Sequence, residues 1–182
     1  MPAQKLSMSA LHRISVEEFK AAEKLPVMVV LDNIRSLNNI GSVFRTADAF
    51  RLSGICLCGI TATPPHREIH KTALGATESV AWQHFETTAG AISWLHREGY
   101  LLIAVEQTRD SIPLNRFFPQ PNHKMAFIFG NEVNGVEEEV LALSDGCIEI
   151  PQFGTKHSIN VSVAVGIVIW DLFTKLPFYQ KK

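Results

Sequence analysis

The sequence predicts an α/β fold in which helices flank a mostly parallel sheet. Short, almost wholly apolar runs such as residues 27–31 and 100–105 alternate along the chain with segments whose apolar residues have helical spacing. Strands that are apolar throughout are typical of a sheet covered on both faces. Parallel pairing is favoured because each intervening helix returns the chain to the same end of the sheet.

Local patterns place the individual elements. A Ser-x-x-Glu capping box at residues 15–18 predicts a helix after the polar residues 1–14. Thr87 or Thr88 starts another helix, which Gly99 ends. The predicted strands are residues 27–31, 54–60, 100–105, 124–129 and 147–150. The predicted helices are residues 15–24, a helix from residue 39 onwards, and residues 66–75, 87–98 and 136–143. Residues 109–123 contain three prolines and are predicted to form a loop with one helical turn.

The last apolar segment has two periodicities. β-Branched residues alternate from residue 159 to residue 169 as in a strand, whereas Ser158, Ser162 and Gly166 are four residues apart as on one helical face. Its length exceeds the usual strand of about 5–6 residues. We therefore predict a helix whose face of small residues packs closely against a partner.

The composition indicates one globular domain with no linker. Of the 182 residues, 46% are hydrophobic and 19% charged, and the formal net charge is −1, so the chain has no overall basic field. A local basic patch could still bind nucleic acid. The first residues contain no apolar signal segment, and no apolar run reaches the ~18 residues of a membrane span, which predicts a cytoplasmic protein that does not contact membranes.

The cysteines and histidines do not predict a metal site. Cys56, Cys58 and Cys147 lie in apolar runs, and no second cluster follows the Cys-x-Cys at zinc spacing, which favours reduced core cysteines. His66 and His70 are four residues apart, but no third ligand accompanies them.

Polar residues follow the predicted strands and indicate where a ligand binds. In a parallel sheet, ligands bind outside the carboxyl ends of the strands. The residues at these ends are Asp32, Asn33, Glu106, Gln107, Gly130, Asn131, Glu132 and the residues from Pro151 onwards. We expect them to lie along one edge of the sheet and to form the functional site.

The first candidate constellation lies at the start of the second predicted helix. Asn39 is suited to cap this helix, and Arg45 lies nearly two turns further along. Gly41, one turn before Arg45, could let a ligand approach the backbone. A capped surface helix with a solvated arginine remains the alternative, since glycine can also serve close helix packing.

Two further constellations follow later strands. Glu132 lies two residues past a buried strand, where functional carboxylates are common; a simple hairpin turn at residues 134–135 is the alternative, although a helix is predicted next. Ser158 and Asn160 open the last helix. There Ser158 could act only as an N-cap, or both side chains could contact a neutral ligand or a hydroxyl substrate.

Several basic residues could form a local rim for phosphates, with a scattered solvated surface as the alternative. They are Arg35, Arg45, His66, Arg67, His70 and Lys71. No Gly-x-Gly-x-x-Gly follows the first strand and no Gly-Lys-Ser/Thr loop is present, which argues against a dinucleotide enzyme, an NTPase and a Rossmann-type methyltransferase.

The order and spacing of these stretches resemble the SpoU (TrmH-like) branch of the SPOUT superfamily, the RNA ribose 2′-O-methyltransferases. The stretches that carry the resemblance are Asn39-x5-Arg45 followed by Thr-Ala, Phe129-Gly-Asn-Glu-x-x-Gly135, and Ile150-Pro151 with Ser158-Ile-Asn-Val-Ser-Val-Ala164. The resemblance covers roughly residues 27–173. Val133 stands where the family commonly has glycine, and Ile159 where it commonly has leucine.

The resemblance implies the fold, the cofactor and the assembly. It implies a SPOUT domain at residues 27–182 with a C-terminal deep trefoil knot, preceded by an extension at residues 1–26. S-adenosylmethionine would bind in the knot through backbone groups, with Gly130, Ile150 and Ile159 as the expected contacts. Family members are homodimers with the C-terminal helix in the interface, and no metal is implied.

The resemblance also assigns catalytic residues, and these are Arg45, Asn39, Glu132, Ser158 and Asn160. Arg45 would orient the ribose 2′-hydroxyl and a neighbouring phosphate, since a pKa above about 12 makes arginine a poor base. Asn39 and Glu132 would fix Arg45 and its loop. Ser158 and Asn160 would hold the knot and the ribose.

The predicted activity is methyl transfer to the 2′-hydroxyl of RNA, with transfer RNA preferred to ribosomal RNA. One alternative is a knotted RNA-binding or ribosome-assembly factor without turnover, and another is base methylation as in other SPOUT branches. Many relatives carry a separate N-terminal RNA-binding domain. Here recognition is expected from the dimer surface and the N-terminal helix, with Arg35, Arg67 and Lys71 as candidate RNA contacts.

Overall fold

A computed structural model describes Lys5, Ser7, residues 13–121 and residues 123–177, and it confirms the predicted α/β class. The strands are β1 (Leu25–Asp32), β2 (Leu52–Cys58), β3 (Trp82–Phe85), β4 (Tyr100–Val105), β5 (Ile112–Pro113), β6 (Lys124–Phe129) and β7 (Gly146–Glu149). The helices are α1 (Val16–Ala21), α2 (Leu37–Ala49), α3 (Arg67–Ala73), α4 (Ala76–Ser79), α5 (Thr88–Arg97), α6 (Glu138–Ala142) and α7 (Val161–Lys175), with a 3-10 turn at Leu114–Arg116.

The strands form one sheet in the order β3-β2-β1-β6-β4-β7-β5, and each adjacent pair is parallel. The chain first builds β1, β2 and β3 outward to one edge. It then crosses to the other side of β1, where β6, β4 and β7 lie next to one another. Their carboxyl ends therefore meet at one place on the sheet.

Helices cover both faces of the sheet, which explains the apolar strands. In β1, Val27, Val29 and Leu31 pack in one core with residues of α2, α3 and α7. Met28 and Val30 pack in a second core with residues of α5 and α6. Because both faces are buried, neither set of alternate residues can be polar.

Helices α2 and α7 lie side by side and run in the same direction. Near their first turns, Nδ2 of Asn160 donates to Oδ1 of Asn39 at 3.1 Å. Near their last turns, the ring centroid of Phe50 lies 6.1 Å from that of Trp170 and 5.1 Å from that of Phe173. Both helices consequently begin at the carboxyl edge of the sheet.

Gly41 is the point at which α3 packs against α2. A Cβ at this position would lie 2.3 Å from the carbonyl oxygen of Ile69 and 2.1 Å from Oγ1 of Thr72. The Thr72 hydroxyl also donates to the Asn38 carbonyl at 3.0 Å. The prediction that a ligand could approach Gly41 is wrong because α3 occupies the space.

The structure shifts two helix caps. Ser36, not Asn39, caps α2, since its side chain accepts from the Asn39 amide. Asn160, not Ser158, caps α7, since its Oδ1 accepts from the amide of Ser162 at 3.0 Å. The predicted helical conformation of the last segment is confirmed.

The cysteines are free, and two of them are buried core residues, as predicted. Burial raises the pKa of the Cys56 thiol, with a smaller contribution from Cys58. Burial and the nearby Asp32 raise the pKa of Cys58 to about 12, against a hydrogen bond with Thr88 that lowers it. Both groups are therefore protonated and unreactive near neutral pH.

Candidate active site

A cavity of about 470 Å³ opens at the carboxyl ends of β4, β6 and β7. This volume lies within the range of about 300–1,000 Å³ that is typical of small-molecule sites. Its lining comes from three predicted stretches: Val105–Gln107, Phe129–Gly135, and the residues Glu149, Ile150, Gln152, His157, Ser158, Ile159, Asn160, Val161 and Ala164. The prediction that these stretches lie together at one edge of the sheet is confirmed, and they line one cavity there.

Asp32 and Asn33 lie at the carboxyl end of β1, as predicted, but they do not line this cavity. Asp32 is 1% exposed and accepts a hydrogen bond from Oγ1 of Thr88 at 2.5 Å. Asn33 has a positive φ of 55° and accepts from the amide of Ile60 at 3.1 Å. Asp32 thus joins the end of β1 to α5, and Asn33 joins it to the residues that follow β2.

The turn after β6 depends on close backbone contact between Gly130 and Gly135. A Cβ at Gly130 would lie 1.9 Å from the carbonyl carbon of Gly135. Asn131, which is 8% exposed, accepts from the amides of Val133 and Asn134 at 3.0 and 2.9 Å. The result is a tight turn that a single antiparallel bridge between Asn131 and Gly135 closes before the chain continues into α6.

Glu106 and Gln107, which the sequence indicates only as strand-end residues, form hydrogen bonds that connect the loops around the cavity. Glu106 accepts from the amide of Val136 at 2.9 Å and from the amide of Gln107 at 2.8 Å. The Gln107 side chain donates to the carbonyl of His157 at 3.0 Å. The position of Glu106 immediately after a buried strand was the sequence signal for this role.

Three residues from distant parts of the sequence form a hydrogen-bonded series, in which Glu132 and Asn160 line the cavity and Asn39 joins them. Nδ2 of Asn39 donates to Oε1 of Glu132 at 2.9 Å. Oδ1 of Asn39 accepts from Nδ2 of Asn160 at 3.1 Å. Oδ1 of Asn160 in turn accepts from both the amide and the hydroxyl of Ser162. We call this set the Glu132–Asn39–Asn160 chain.

The partners in this chain fix the orientation of both amides. Each amide nitrogen uses one N–H within the Glu132–Asn39–Asn160 chain, and its second N–H has no partner among the described residues. Oε2 of Glu132 has no partner among the described residues. The Glu132–Asn39–Asn160 chain therefore has two donors and one acceptor without a partner among the described residues.

The other two predicted catalytic residues, Ser158 and Arg45, are not members of the Glu132–Asn39–Asn160 chain. Ser158 lines the cavity and is exposed. Arg45 is exposed, does not line the cavity, and makes no hydrogen bond or ion pair within the described part of the chain. It lies about 9 Å beyond Asn39 along the axis of α2. Asn39 and Glu132 thus hold each other, and neither contacts Arg45.

The predicted cofactor contacts all line the cavity. Gly130, Ile150 and Ile159 are among its lining residues, together with apolar residues such as Val105, Phe129 and Ala164. The carboxylates of Glu106, Glu132 and Glu149 also line it. This combination fits an organic ligand with an apolar body, several hydrogen-bonding edges and a positive charge.

The three candidate RNA contacts are on the surface. Arg35, Arg67 and Lys71 are exposed. Lys71 forms an ion pair with Glu68 at 2.7 Å, whereas Arg35 and Arg67 have no partner among residues 13–121 and 123–177. Within those residues no group of three His, Cys, Asp or Glu side chains could hold a metal ion. None of the described helices is long and apolar enough to cross a membrane.

The fold and the cavity define the class: a parallel α/β protein whose ligand site is built from three strand ends and the loop before the last helix. The chain belongs to the SpoU rRNA Methylase family, whose model matches residues 26–170.

Two curated relatives are named as RNA 2′-O-methyltransferases. A tRNA (guanosine(18)-2′-O)-methyltransferase of Borreliella burgdorferi is 31% identical over 81% of this chain and 66% of the relative. A 23S rRNA (guanosine-2′-O-)-methyltransferase RlmB of Vibrio parahaemolyticus is 28% identical over 88% of this chain and 64% of the relative. The chain spans slightly less than two thirds of the length of these relatives.

Solved structures have the same fold. The TrmH/SpoU tRNA modifying enzyme of A. aeolicus is similar with a TM-score of 0.77 at 21% identity, covering 91% of this chain and 81% of that chain. An AdoMet-bound rRNA methyltransferase of Sinorhizobium meliloti has a TM-score of 0.76 at 26% identity, covering 85% of this chain and 59% of that chain.

The close contact between Gly130 and Gly135 predicts that alanine at position 130 destabilises the fold more than alanine at an open glycine position does. Gly130→Ala should lower the free energy of unfolding by about 1–3 kcal/mol, because the added methyl group meets the Gly135 backbone. Gly154→Ala is the matched control, since a Cβ there meets nothing within 4 Å. Urea denaturation of both variants measures the difference. Equal midpoints would show that the turn is not closely packed.

Proposed function

We propose that this protein is an S-adenosylmethionine-dependent RNA methyltransferase that acts on a ribose 2′-hydroxyl. The observation that carries the proposal is the Glu132–Asn39–Asn160 chain at the edge of the cavity, because it presents oriented donors and an acceptor beside a site of cofactor size. The names of the tRNA and rRNA relatives support this reaction. We prefer transfer RNA as the substrate, with ribosomal RNA second.

The cavity residues fit S-adenosylmethionine. Gly130, Ile150 and Ile159 would hold it through backbone groups, and the absence of a side chain at Gly130 lets the loop after β6 close tightly around the cavity. When bound, the cofactor supplies an electrophilic methyl group on a positively charged sulfur. The carboxylates that line the cavity favour this positive charge.

The residues of the Glu132–Asn39–Asn160 chain would position the ribose. A 2′-hydroxyl is a weak acid, so negative charge would develop on its oxygen as its proton passes to solvent. That oxygen would then bond to the methyl group while the bond between the methyl group and the cofactor's sulfur breaks, which leaves a neutral thioether. The second N–H groups of Asn39 and Asn160 would donate to ribose oxygens, and Oε2 of Glu132 would accept from a hydroxyl. Ser158, exposed at the cavity, would contact the same sugar.

Arg45 would act electrostatically. Its guanidinium has no protein partner among the described residues, so it is available to a phosphate next to the target ribose and to the developing negative charge. Because arginine stays protonated, it would stabilise charge and would not accept the proton.

We also propose that β7, the loop after it and α7 form the deep trefoil knot of the SPOUT fold. The bond between Gln107 and the His157 carbonyl ties this loop to the end of β4. The methyltransferase domain would span residues 27–182, with residues 1–26 as an extension. Phe19 of α1, 4% exposed, packs into the core on the α2 side, which joins the described part of the extension to that domain.

Methyl transfer from labelled S-adenosylmethionine to RNA, followed by nucleoside analysis, tests the reaction. We expect 2′-O-methylated nucleosides with the unchanged protein. Arg45→Ala should lower kcat by about 10²–10³-fold, the usual loss when one charge-stabilising donor is removed, while the Kd for S-adenosylmethionine stays the same. Arg97→Ala, an exposed arginine on α5, is the control and should keep full activity.

Two results would contradict these assignments. Cofactor binding without any 2′-O-methylated nucleoside would indicate an RNA-binding or assembly factor without turnover. Loss of cofactor binding in Arg45→Ala would show that Arg45 belongs to the cofactor site and not to the ribose site.

We further propose a homodimer through α7. One face of this helix leaves Val163, Ile167 and Trp170 exposed by 50%, 37% and 53%. Ser162 and Gly166 lie beside them, and a Cβ at Gly166 would meet nothing within 4 Å. An apolar face with small residues suits close contact with a second copy of the same helix.

Substitution on this face tests the dimer. Ile167→Glu should shift the protein from dimer to monomer in light scattering, because the carboxylate would be buried without a partner. Ile60→Glu is the matched control: Ile60 is 62% exposed at the end of β2, and its substitution should leave a dimer. A dimer in both variants would exclude this face as the interface.

A further inference from the structure

A second groove, separate from the active-site cavity, lies between α3, α4 and the edge strand β3. Its volume is about 510 Å³, and it shares no lining residue with the first cavity. The side chains that matter for its chemistry are Pro65, Arg67, Glu78 and Trp82, all of them exposed.

Trp82 gives the groove an open aromatic face. It is paired with Ile55 of β2, and paired residues of parallel strands point to the same face of the sheet, so the indole lies on the side of α2 and α3. Because β3 is the edge strand, no further strand covers this residue, which is 37% exposed. Most tryptophan surface in a folded protein is buried, so an exposed indole in a groove suggests a ligand.

Arg67 is the one Lys or Arg side chain among the residues that line the groove, which His66 and His70 also line. Lys71 is paired with Glu68 at 2.7 Å, and Nδ1 of His66 accepts from the Glu68 amide. Arg67 has no hydrogen bond or ion pair in the part of the chain that the structure describes. The Glu78 carboxylate in the same groove offsets its charge. One arginine next to one indole, without excess positive charge, differs from a basic track along many phosphates and fits a single nucleotide.

The groove is fixed in position relative to the active site. Helix α3 packs on α2 at Gly41, and Thr72 donates to the carbonyl of Asn38. The next residue, Asn39, is the centre of the Glu132–Asn39–Asn160 chain. The helix α3 that lines the groove is therefore packed directly on the helix that carries Asn39.

We propose that this groove binds an unpaired nucleotide of the RNA substrate, with its base stacked on Trp82 and its phosphate on Arg67. The inference rests on the proposed function. Proteins recognise single-stranded RNA mainly by stacking unpaired bases on aromatic side chains, with arginine contributing to backbone contacts. The groove would then help to select the RNA, while the first cavity performs the reaction.

The test compares RNA binding and cofactor binding in the full chain. Trp82→Ala and Arg67→Gln should each raise the Kd for an RNA that the unchanged protein methylates. For Trp82→Ala the increase should be about 5- to 100-fold, as expected for one lost stacked base. The Kd for S-adenosylmethionine should not change. Trp82→Phe keeps an aromatic ring and should retain most of the affinity, and Arg97→Gln on the opposite face of the sheet should retain all of it.

The outcomes separate this inference from the proposed function. If Trp82→Ala binds and methylates RNA as well as the unchanged protein does, the inference is overturned and the proposed function stands. If Trp82→Phe weakens RNA binding as much as Trp82→Ala does, the stacking role is overturned. Failure of the unchanged protein to methylate any RNA would instead overturn the proposed function, and failure of that protein to bind RNA would overturn the groove as an RNA site.

Discussion

The Glu132–Asn39–Asn160 chain is the interaction on which the account of the site depends. It joins residues that are 93 and 121 positions apart in the sequence. The bonds can form because α2 and α7 begin at the same edge of the sheet and because β6 lies beside β1. The fold thus brings together three polar side chains whose amide orientations are set by one another, and this leaves their remaining donors directed by the protein before any ligand binds.

Backbone packing fixes the position of Glu132 in the Glu132–Asn39–Asn160 chain. The Gly130–Gly135 contact and the Asn131 side chain fix the turn that carries Glu132. Glu106 holds the far end of the same turn through the amide of Val136. Because every one of these groups follows the end of a buried strand, the sheet determines where they lie. The second groove depends on the same scaffold, since α3 is packed onto α2.

Parts of this arrangement could be predicted from the sequence, and burial explains which parts. The bounds of β4 and β6 were predicted without error because both strands are largely buried apolar runs. Strand β3 was missed because it is short and two of its four residues are exposed, so no periodicity marks it. The cap of α2 was misplaced because a sequence does not show which polar residue is used by a distant partner. The cap of α7 was misplaced because this helix begins at Val161, two residues later than a cap at Ser158 would require. Asn39 was expected to cap its own helix, and it bonds to Glu132 and Asn160 instead.

The coupling between Asn39 and Asn160 tests the central claim most directly. Methyl-transfer kcat/KM would be measured for Asn39→Ala, Asn160→Ala and the double variant. If the two side chains act as one hydrogen-bonded unit, the double variant should lose little more activity than the more damaged single variant, as expected for residues in one network. Losses that multiply in the double variant would show that the two residues act independently, and would contradict the account.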